Sequence, residues 1–392
     1  MKASMIMFLL VLILVVFGGH YYIWSRLVRD PAWPAPWGTI ATAVLIALAL
    51  YLPATTFLAR ALPRSFATPI SVVAFTWMGL GFLFTVAIFA TDLARWMATF
   101  GAWLWASLVP RDPVDPVRRE LLTRGAATAA TAFALGSGAV ALRGGLGEVD
   151  VAEVPVELER LPPQLGGFTI VQLTDIHIGA LIGHRFIDQI VEKTNALRPD
   201  LIVITGDLVD GKVPELRRHA EPLGRLQARH GVYFVTGNHE YYSGVDPWLA
   251  FLERLGIRVL RNERIAIGDG AVSFDLAGID DATAHKFGNG HGADLERALR
   301  GRDPERELVL LAHQPKAILD PAAAQVGLQL SGHTHGGQIW PFNHLVPLQQ
   351  PYVAGLHRHG PNTQIYVSCG TGFWGPPMRL GAPAEITKIV LS

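Results

Sequence analysis

Three runs near the start of the chain carry no charged side chain: residues 3–25, 31–59 and 65–91 contain no Asp, Glu, Lys or Arg. Each exceeds the ~20 apolar residues that a helix needs to cross the hydrocarbon core of a bilayer. Core helices of soluble bundles are shorter and keep a polar stripe. The three runs therefore read as membrane spans. Two softer charge-free runs follow, the Trp-rich residues 96–110 and the small-residue stretch 125–142. Together they suggest about five spans in a membrane region covering residues 1–143.

With five spans the positive charges sort to two sides. Lys2, Arg60, Arg64, Arg111, Arg118, Arg119 and Arg124 fall on one, and Arg26, Arg29 and Arg95 on the other. The positive-inside rule makes the first set cytoplasmic, which places everything after Leu142 outside the cytoplasm. The block Arg118-Arg119-Glu120-Leu121-Leu122, before a small-residue apolar stretch, resembles a twin-arginine export signal. It departs from that pattern in having Leu-Leu for Phe-Leu and in lying inside the chain. Ala139-Val140-Ala141 has the small-x-small form of a cleavage site. An ordinary membrane helix with basic flanks is the alternative, and both readings export the domain that follows.

That domain, residues 144–392, alternates short apolar runs with helical spacing, the pattern of an α/β fold. A connector with Gly-Gly and Pro-Pro punctuation covers residues 143–167, with a first strand at 151–158. Further strands are expected at 168–173, 201–204, 232–235, 257–260, 272–277, 308–311, 328–330, 365–367 and 386–391. Helices are expected at 186–197, 216–227 and 248–255. Formal net charge is zero, and nothing in the chain suggests a basic footprint for nucleic acid, so no nucleic-acid partner is expected. The single cysteine, Cys369, excludes an internal disulfide framework and a thiolate zinc site.

Short polar blocks follow the apolar runs: Asp175-Ile176-His177, Gly206-Asp207, Gly237-Asn238-His239-Glu240, His313 and Gly332-His333-Thr334-His335. Each sits just past the carboxyl end of an expected strand, the edge at which open α/β sheets bind ligands. Asp175 and His177 are two apart on extended backbone, so both reach one ion. The Asp207 carboxylate has lone pairs enough to enter between two metals. Asn238 adds a neutral oxygen. His333 and His335 again straddle one residue. Imidazole and oxygen ligation without thiolate suits Mn, Fe or Zn. Two such ions, ~3.5–4 Å apart, would share an activated water that attacks phosphorus. His239 is assigned outside the metal shell, as the donor to the leaving oxygen. Glu240 either orients His239 through its other ring nitrogen or places charge at a helix N-terminus. Asp280-Asp281 near His285 reads as a turn that could also face substrate.

These blocks, with Asp210 completing Gly206-Asp207-x-x-Asp210, resemble the calcineurin-like metallophosphoesterase superfamily over residues 151–391. The resemblance implies a four-layer α/β/β/α sandwich after the transmembrane helical region. It implies one metal held by Asp175, His177, Asp207 and His335, a second held by Asp207, Asn238, His313 and His333, and His239 as the catalytic histidine with Asp207. Asp210 is expected to be structural rather than a ligand. Gly336-Gly337-Gln338, and the tail around Gly370, Arg379 and Pro383-Ala384-Glu385, are similar to a membrane-associated bacterial branch. A multi-pass protein of the bacterial inner membrane, with its catalytic domain on the extracytoplasmic side, is the expectation.

The leading expectation is a two-metal phosphoester hydrolase acting on an envelope or lipid-linked phosphodiester, with monoesters and pyrophosphates open. The alternative is a transporter or sensor with a regulatory phosphoesterase-like domain, for which polar residues inside spans would speak. His20, and Asp92 with Arg95 at a boundary, are the few available. An inactive binding module of the same fold is a third reading, against which the complete ligand set argues.

Overall fold

The computed structural model describes residues 3–106, 115–270, 272–288, 290–320, 323 and 325–392. The chain forms two units, Met1–Leu142 with Gly375–Met378, and Arg143–Trp374 with Arg379–Ser392.

The first unit is built from helices α1 (Ala3–Trp24), α2 (Trp37–Ala61), α3 (Arg64–Ala106) and, as far as Leu142, α4 (Pro116–Leu146). Three stretches, Trp37–Ala59, Arg64–Trp105 and Pro116–Leu146, are long and apolar enough to cross a membrane. Residues 65–91 and the described part of 96–110, expected as separate spans, lie on one unbroken helix of 43 residues. That helix is about 65 Å long at 1.5 Å per residue. No Gly or Pro stands between Thr91 and Trp96 to end it. Lys2 and Arg111, used in the sidedness reading, lie outside the described residues.

Polar groups in these helices find partners. Asp92 Oδ2 accepts from Tyr22 OH and from Arg26 Nε, each at 2.8 Å. His20 Nδ1 donates to Val16 O at 2.7 Å, and its Nε2 accepts from Trp77 Nε1 at 2.9 Å. Two of the side chains that could have lined a transport path are thus held in internal bonds.

The second unit contains β1 (Asp150–Val156), β2 (Thr169–Leu173), α5 (His184–Ala196), β3 (Leu201–Thr205), α6 (Val213–Ala220), β4 (Val232–Val235), α7 (Asn238–Ser243), α8 (Val245–Arg254) and β5 (Arg258–Val259). There follow β6 (Glu263–Asp269), β7 (Val272–Gly278), α9 (Leu295–Leu299), β8 (Leu308–Leu311), β9 (Leu328–Ser331), β10 (Gly355–Arg358), β11 (Gln364–Val367) and β12 (Glu385–Leu391). The helix expected over 216–227 ends at Ala220 and tightens into a 3-10 turn, Glu221–Arg225. Pro222 and Gly224 within that turn disfavour a longer helix.

Two six-stranded sheets result, ordered β1-β12-β2-β3-β4-β5 and β10-β11-β9-β8-β7-β6. Strands β2 to β5 run parallel, as do β7, β8, β9 and β11. Continuous apolar runs make such strands because both faces are covered. In β3, Leu201 and Val203 point to one cluster and Ile202 and Ile204 to another. The first cluster also takes Val309 and Leu311 of β8 and Leu328 and Leu330 of β9, so it fills the space between the sheets. Phe168 and Phe274 meet there edge to face at 5.3 Å, a contact worth ~0.5–1.5 kcal/mol beyond its burial. The second cluster packs β2, β3 and β4 under Ile187, Ile190, Leu216 and Trp248 of α5, α6 and α8. On the far side Leu308 and Leu310 meet Leu295 and Leu299 of α9. The layers are α/β/β/α.

Candidate metal centre

Parallel strands bring their carboxyl ends to one edge. Asp175 follows β2, Asp207 follows β3, Asn238 follows β4, His313 follows β8 and His333 follows β9. The two sheets are stitched at this edge. Gln172 Nε2 donates to Thr205 Oγ1 at 2.8 Å and to Ser331 O at 2.9 Å. The His333 N–H donates to the Asp175 carboxylate at 2.9 Å.

Five of the seven expected ligands arrive here by sharp turns, Asp175 and His177 among them in place of the extended backbone expected for that pair. Asp175, His177, Asp207, His333 and His335 all have φ between +51° and +71°. Left-handed backbone costs a non-glycine residue free energy, and it collects at functional sites. Two glycines permit the approach. A Cβ on Gly237 would run into the Asp207 carboxylate, and one on Gly332 into Asp175 and Thr174.

Two clusters form. In one, His177 Nε2 stands 3.1 Å from His335 Nε2, which is 3.4 Å from Asp175 Oδ1. In the other, His313 Nε2 stands 3.1 Å from Asp207 Oδ2 and 3.2 Å from His333 Nδ1. Each trio could hold a metal ion. An ion bound tetrahedrally at about 2.0–2.1 Å keeps its donors about 3.3 Å apart, close to these spacings. Asp207 lies between the clusters, its Oδ2 also 3.9 Å from His177 Nε2. Asn238 opens α7 between Gly237 and His239, and the His239 N–H donates to Asp207 Oδ1 at 2.9 Å. Asn238 is 7% exposed, and its Oδ1 accepts no hydrogen bond among the described residues. A buried amide oxygen left without a donor fits a cation ligand. The residues present therefore fit a pair of divalent ions.

The far ring nitrogens are anchored. His313 Nδ1 donates to Thr205 O at 2.8 Å, and His177 Nδ1 to Asp210 Oδ1 at 3.1 Å, so the Nε2 atom of each ring is the one that faces the cluster and would ligate once deprotonated. Burial, the His177 charge and the Arg379 charge hold the His335 imidazole neutral, well below its usual range. Burial would lift Asp207, but the charge and hydrogen bond of His313 outweigh it and keep the carboxylate ionised. Neutral imidazole and ionised carboxylate are the ligating forms. Burial would lower the His313 pKa, but the Asp207 charge and hydrogen bond outweigh it and raise it well above its usual range, so a metal ion bound there would displace the His313 proton.

His239 stands beside the clusters, its Nε2 at 3.9 Å from Asp207 Oδ2. Its Nδ1 donates to Asp210 Oδ1 at 2.6 Å. Burial would lower its pKa, but the Asp210 hydrogen bond and the charges of Asp207 and Asp210 raise it to about 9. Glu240 is therefore not the group that orients His239. Its carboxylate accepts from the N–H groups of Gly237 at 2.7 Å, Leu208 at 2.8 Å and Asp207 at 3.0 Å. It sits in the first turn of α7, the second of the two roles expected for it, and also braces the Asp207 loop.

Three roles emerge only in the folded chain. Asp210 is a shared acceptor for two site histidines; its signal in the sequence is the carboxylate three residues after Asp207. Glu240 ties three loop amides. Arg379, visible in the sequence only through family resemblance, is 3% exposed and donates to the carbonyls of Gly370, Gly372 and Ala382. Its NH2 lies 3.4 Å from His335 Nδ1. The Asp280-Asp281 block leads into the expected turn, where the Ala284 N–H donates to Asp281 O at 3.0 Å, and both carboxylates are buried. Asp280 pairs with Arg261 at 2.6 Å, and Asp281 accepts from Gln314 Nε2 at 2.9 Å.

Residues 168–337 match the calcineurin-like phosphoesterase family. An uncharacterized metallophosphoesterase of Helicobacter pylori is 43% identical over 248 residues, 63% of this chain and 65% of its own length. A Bos taurus transmembrane protein with metallophosphoesterase domain is 47% identical over 253 residues, 62% of this chain and 56% of its own. An uncharacterized metallophosphoesterase of Aquifex aeolicus is 34% identical over 242 residues, 62% of this chain and 91% of its own. The chain belongs to the calcineurin-like phosphoesterase family. It spans 56–65% of the length of the first two relatives, and these relatives come from animals as well as bacteria.

Proposed function

We propose that this chain is a membrane-tethered, metal-dependent phosphoester hydrolase. The observation that carries the reading is the place of Asp207 Oδ2, 3.1 Å from His313 Nε2 and 3.9 Å from His177 Nε2. One carboxylate faces both imidazole clusters. In this reading Asp175, His177, Asp207 and His335 hold one divalent ion, and Asp207, Asn238, His313 and His333 hold the second. The donor set suits Mn, Fe or Zn. When bound, such a pair supplies an activated water and neutralises charge on the phosphoryl oxygens.

The chain's own groups do the remaining work. His239 presents Nε2 toward the clusters, where it protonates the leaving oxygen. Asp210 fixes the His239 ring through Nδ1. The His239 N–H and the Glu240 brace hold the Asp207 carboxylate in one orientation. Fixed dipoles need no reorganisation when charge develops on the phosphoryl group.

The apolar helices support a substrate presented at a membrane, an envelope or lipid-linked phosphodiester. The five-span sorting of charges does not survive the single helix over residues 64–106. Arg118, Arg119 and Arg124, in the first half of α4, by themselves support a cytoplasmic start for that helix, with the catalytic unit beyond the membrane of a bacterial cell. A topology reporter fused after Arg143 tests this: signal from the cytoplasmic side reverses the assignment.

The activity is tested on the full chain in detergent, loaded with Mn or Zn, with a chromogenic phosphodiester. Metal-dependent hydrolysis abolished in Asp207→Ala and reduced in His239→Ala is expected. Full hydrolysis by Asp207→Ala, or none by the loaded native chain on diesters, monoesters or pyrophosphates, ends the reading.

A further inference from the structure

After His335 the chain turns tightly through His335–Gly337, and Ile339 bridges to Leu380. The Gln338 side chain clamps Trp374: its Nε2 donates to Trp374 O and its Oε1 accepts from Trp374 N, both at 3.0 Å. The Trp374 ring meets His239 edge-on at 5.7 Å and is 54% exposed. The segment that starts five residues past ligand His335 is thus tied to the residue flanking His239.

That segment makes two consecutive 3-10 turns, Phe342–His344 and Val346–Leu348. Side chains three apart eclipse on a 3-10 turn, so Phe342, Leu345 and Leu348 share one edge. Leu345 is 52% exposed and Leu348 81% exposed, and Trp340 and Phe342 are exposed beside them. On its inner side the segment packs against the ligand loop, since a Cβ on Gly337 would collide with Asn343. No Asp, Glu, Lys or Arg occurs between Asp320 and Arg358. A charge-free stretch that exposes Trp, Phe and Leu side chains on one edge marks an interaction site rather than scattered surface leucines.

The occupant follows from chemistry and tether. Trp with Leu and Phe, and no charge, is the composition that settles at the boundary of headgroups and acyl chains. Only Gly147, Glu148 and Val149 separate α4 from β1. Those three residues reach about 10 Å at full extension, so a bilayer crossed by α4 is never far from the catalytic unit.

We propose that Trp340, Phe342, Leu345, Leu348 and Trp374 form a lipid-surface contact that seats the metal-ligand edge of the catalytic unit on a bilayer. The contact requires no hydrolysis; its consequence, that phosphoesters are taken from the membrane face, rests on the function proposed above.

The test uses the full chain in lipid nanodiscs, in a Cys369→Ser background. Leu345→Cys, Leu348→Cys and the control Asp269→Cys are each labelled with an environment-sensitive fluorophore. Nanodiscs carry lipids with a nitroxide at the headgroup or upper acyl chain. Quenching at 345 and 348 at least threefold above the control is expected. Quenching equal to the control overturns the proposal. In parallel, Leu345→Gln/Leu348→Gln is assayed on a lipid-borne and a soluble phosphodiester. The ratio of the two rates should fall at least tenfold, and an unchanged ratio also overturns it. If no form hydrolyses either diester, the phosphodiester assignment fails while quenching still decides the lipid contact.

Discussion

The Nδ1 atom of His239 donates to Asp210 Oδ1 at 2.6 Å, and the same oxygen accepts from His177 Nδ1 at 3.1 Å. One carboxylate outside the two ligand clusters therefore orients both a candidate metal ligand and the candidate proton donor. Replacing Asp210 by Asn keeps the size and removes the charge. Asp210→Asn should lower kcat about 10–100-fold, as loss of such supporting groups does. KM should change little, because the His239 proton matters in the transition state. Steady-state kinetics on metal-loaded protein, with ions counted in the same sample, checks it.

Removing metal should cost stability as well as activity. Asp175 and Asp207 are both buried, and burial together with the Asp207 charge raises the Asp175 pKa, a repulsion that cations relieve. Ions at 100 times their Kd add about 2.7 kcal/mol. For a unit of this size that is about 5–10 °C in Tm. Thermal unfolding with and without chelator should show the difference in the native chain, and Asp207→Ala should abolish it.

Glu240 is fully buried and satisfies three amide donors, those of Asp207, Leu208 and Gly237. Each buried donor left unpaired costs about 1–3 kcal/mol. Glu240→Ala should therefore destabilise the catalytic unit by at least about 3 kcal/mol and lower its metal content. Glu240→Gln, which keeps one acceptor oxygen, should lose about half as much. Melting curves of the two variants beside the native chain, with metal analysis, separate these outcomes.

Burial and the charge of Glu385 push the Cys369 thiol up to about 12. The thiolate is the nucleophile, so alkylation of the native protein should stay slow from pH 7 to pH 9. A free cysteine near 8.5 would by then be mostly ionised. Mass spectrometry of maleimide-treated protein across that range reads the rate, and unfolding in denaturant should restore it.

Much of the catalytic unit was legible in the chain. Strands β3, β4, β8 and β9 announced themselves as short apolar runs because sheet and helix layers cover both their faces, so burial leaves no polar alternation. The ligand blocks were legible for a related reason: parallel strands carry whatever follows them to one edge, and order along the chain becomes proximity. Strands β6 and β10 were not legible. They lie at the edges of their sheet with mostly exposed and half-buried residues, and only pairing with β7 and β11 makes them strands. The continuity of α3 through Trp96 escaped for the opposite reason, since a charge between two apolar runs reads as a boundary although it need not end a helix. The sequence by itself determined the ligand types and their order. Tertiary structure alone decided that Asp210 serves His239, that Glu240 serves the Asp207 loop and that Arg379 reaches His335. Those partnerships join residues brought together by strand packing or by backbone turned to positive φ, and no local spacing records where a folded chain returns.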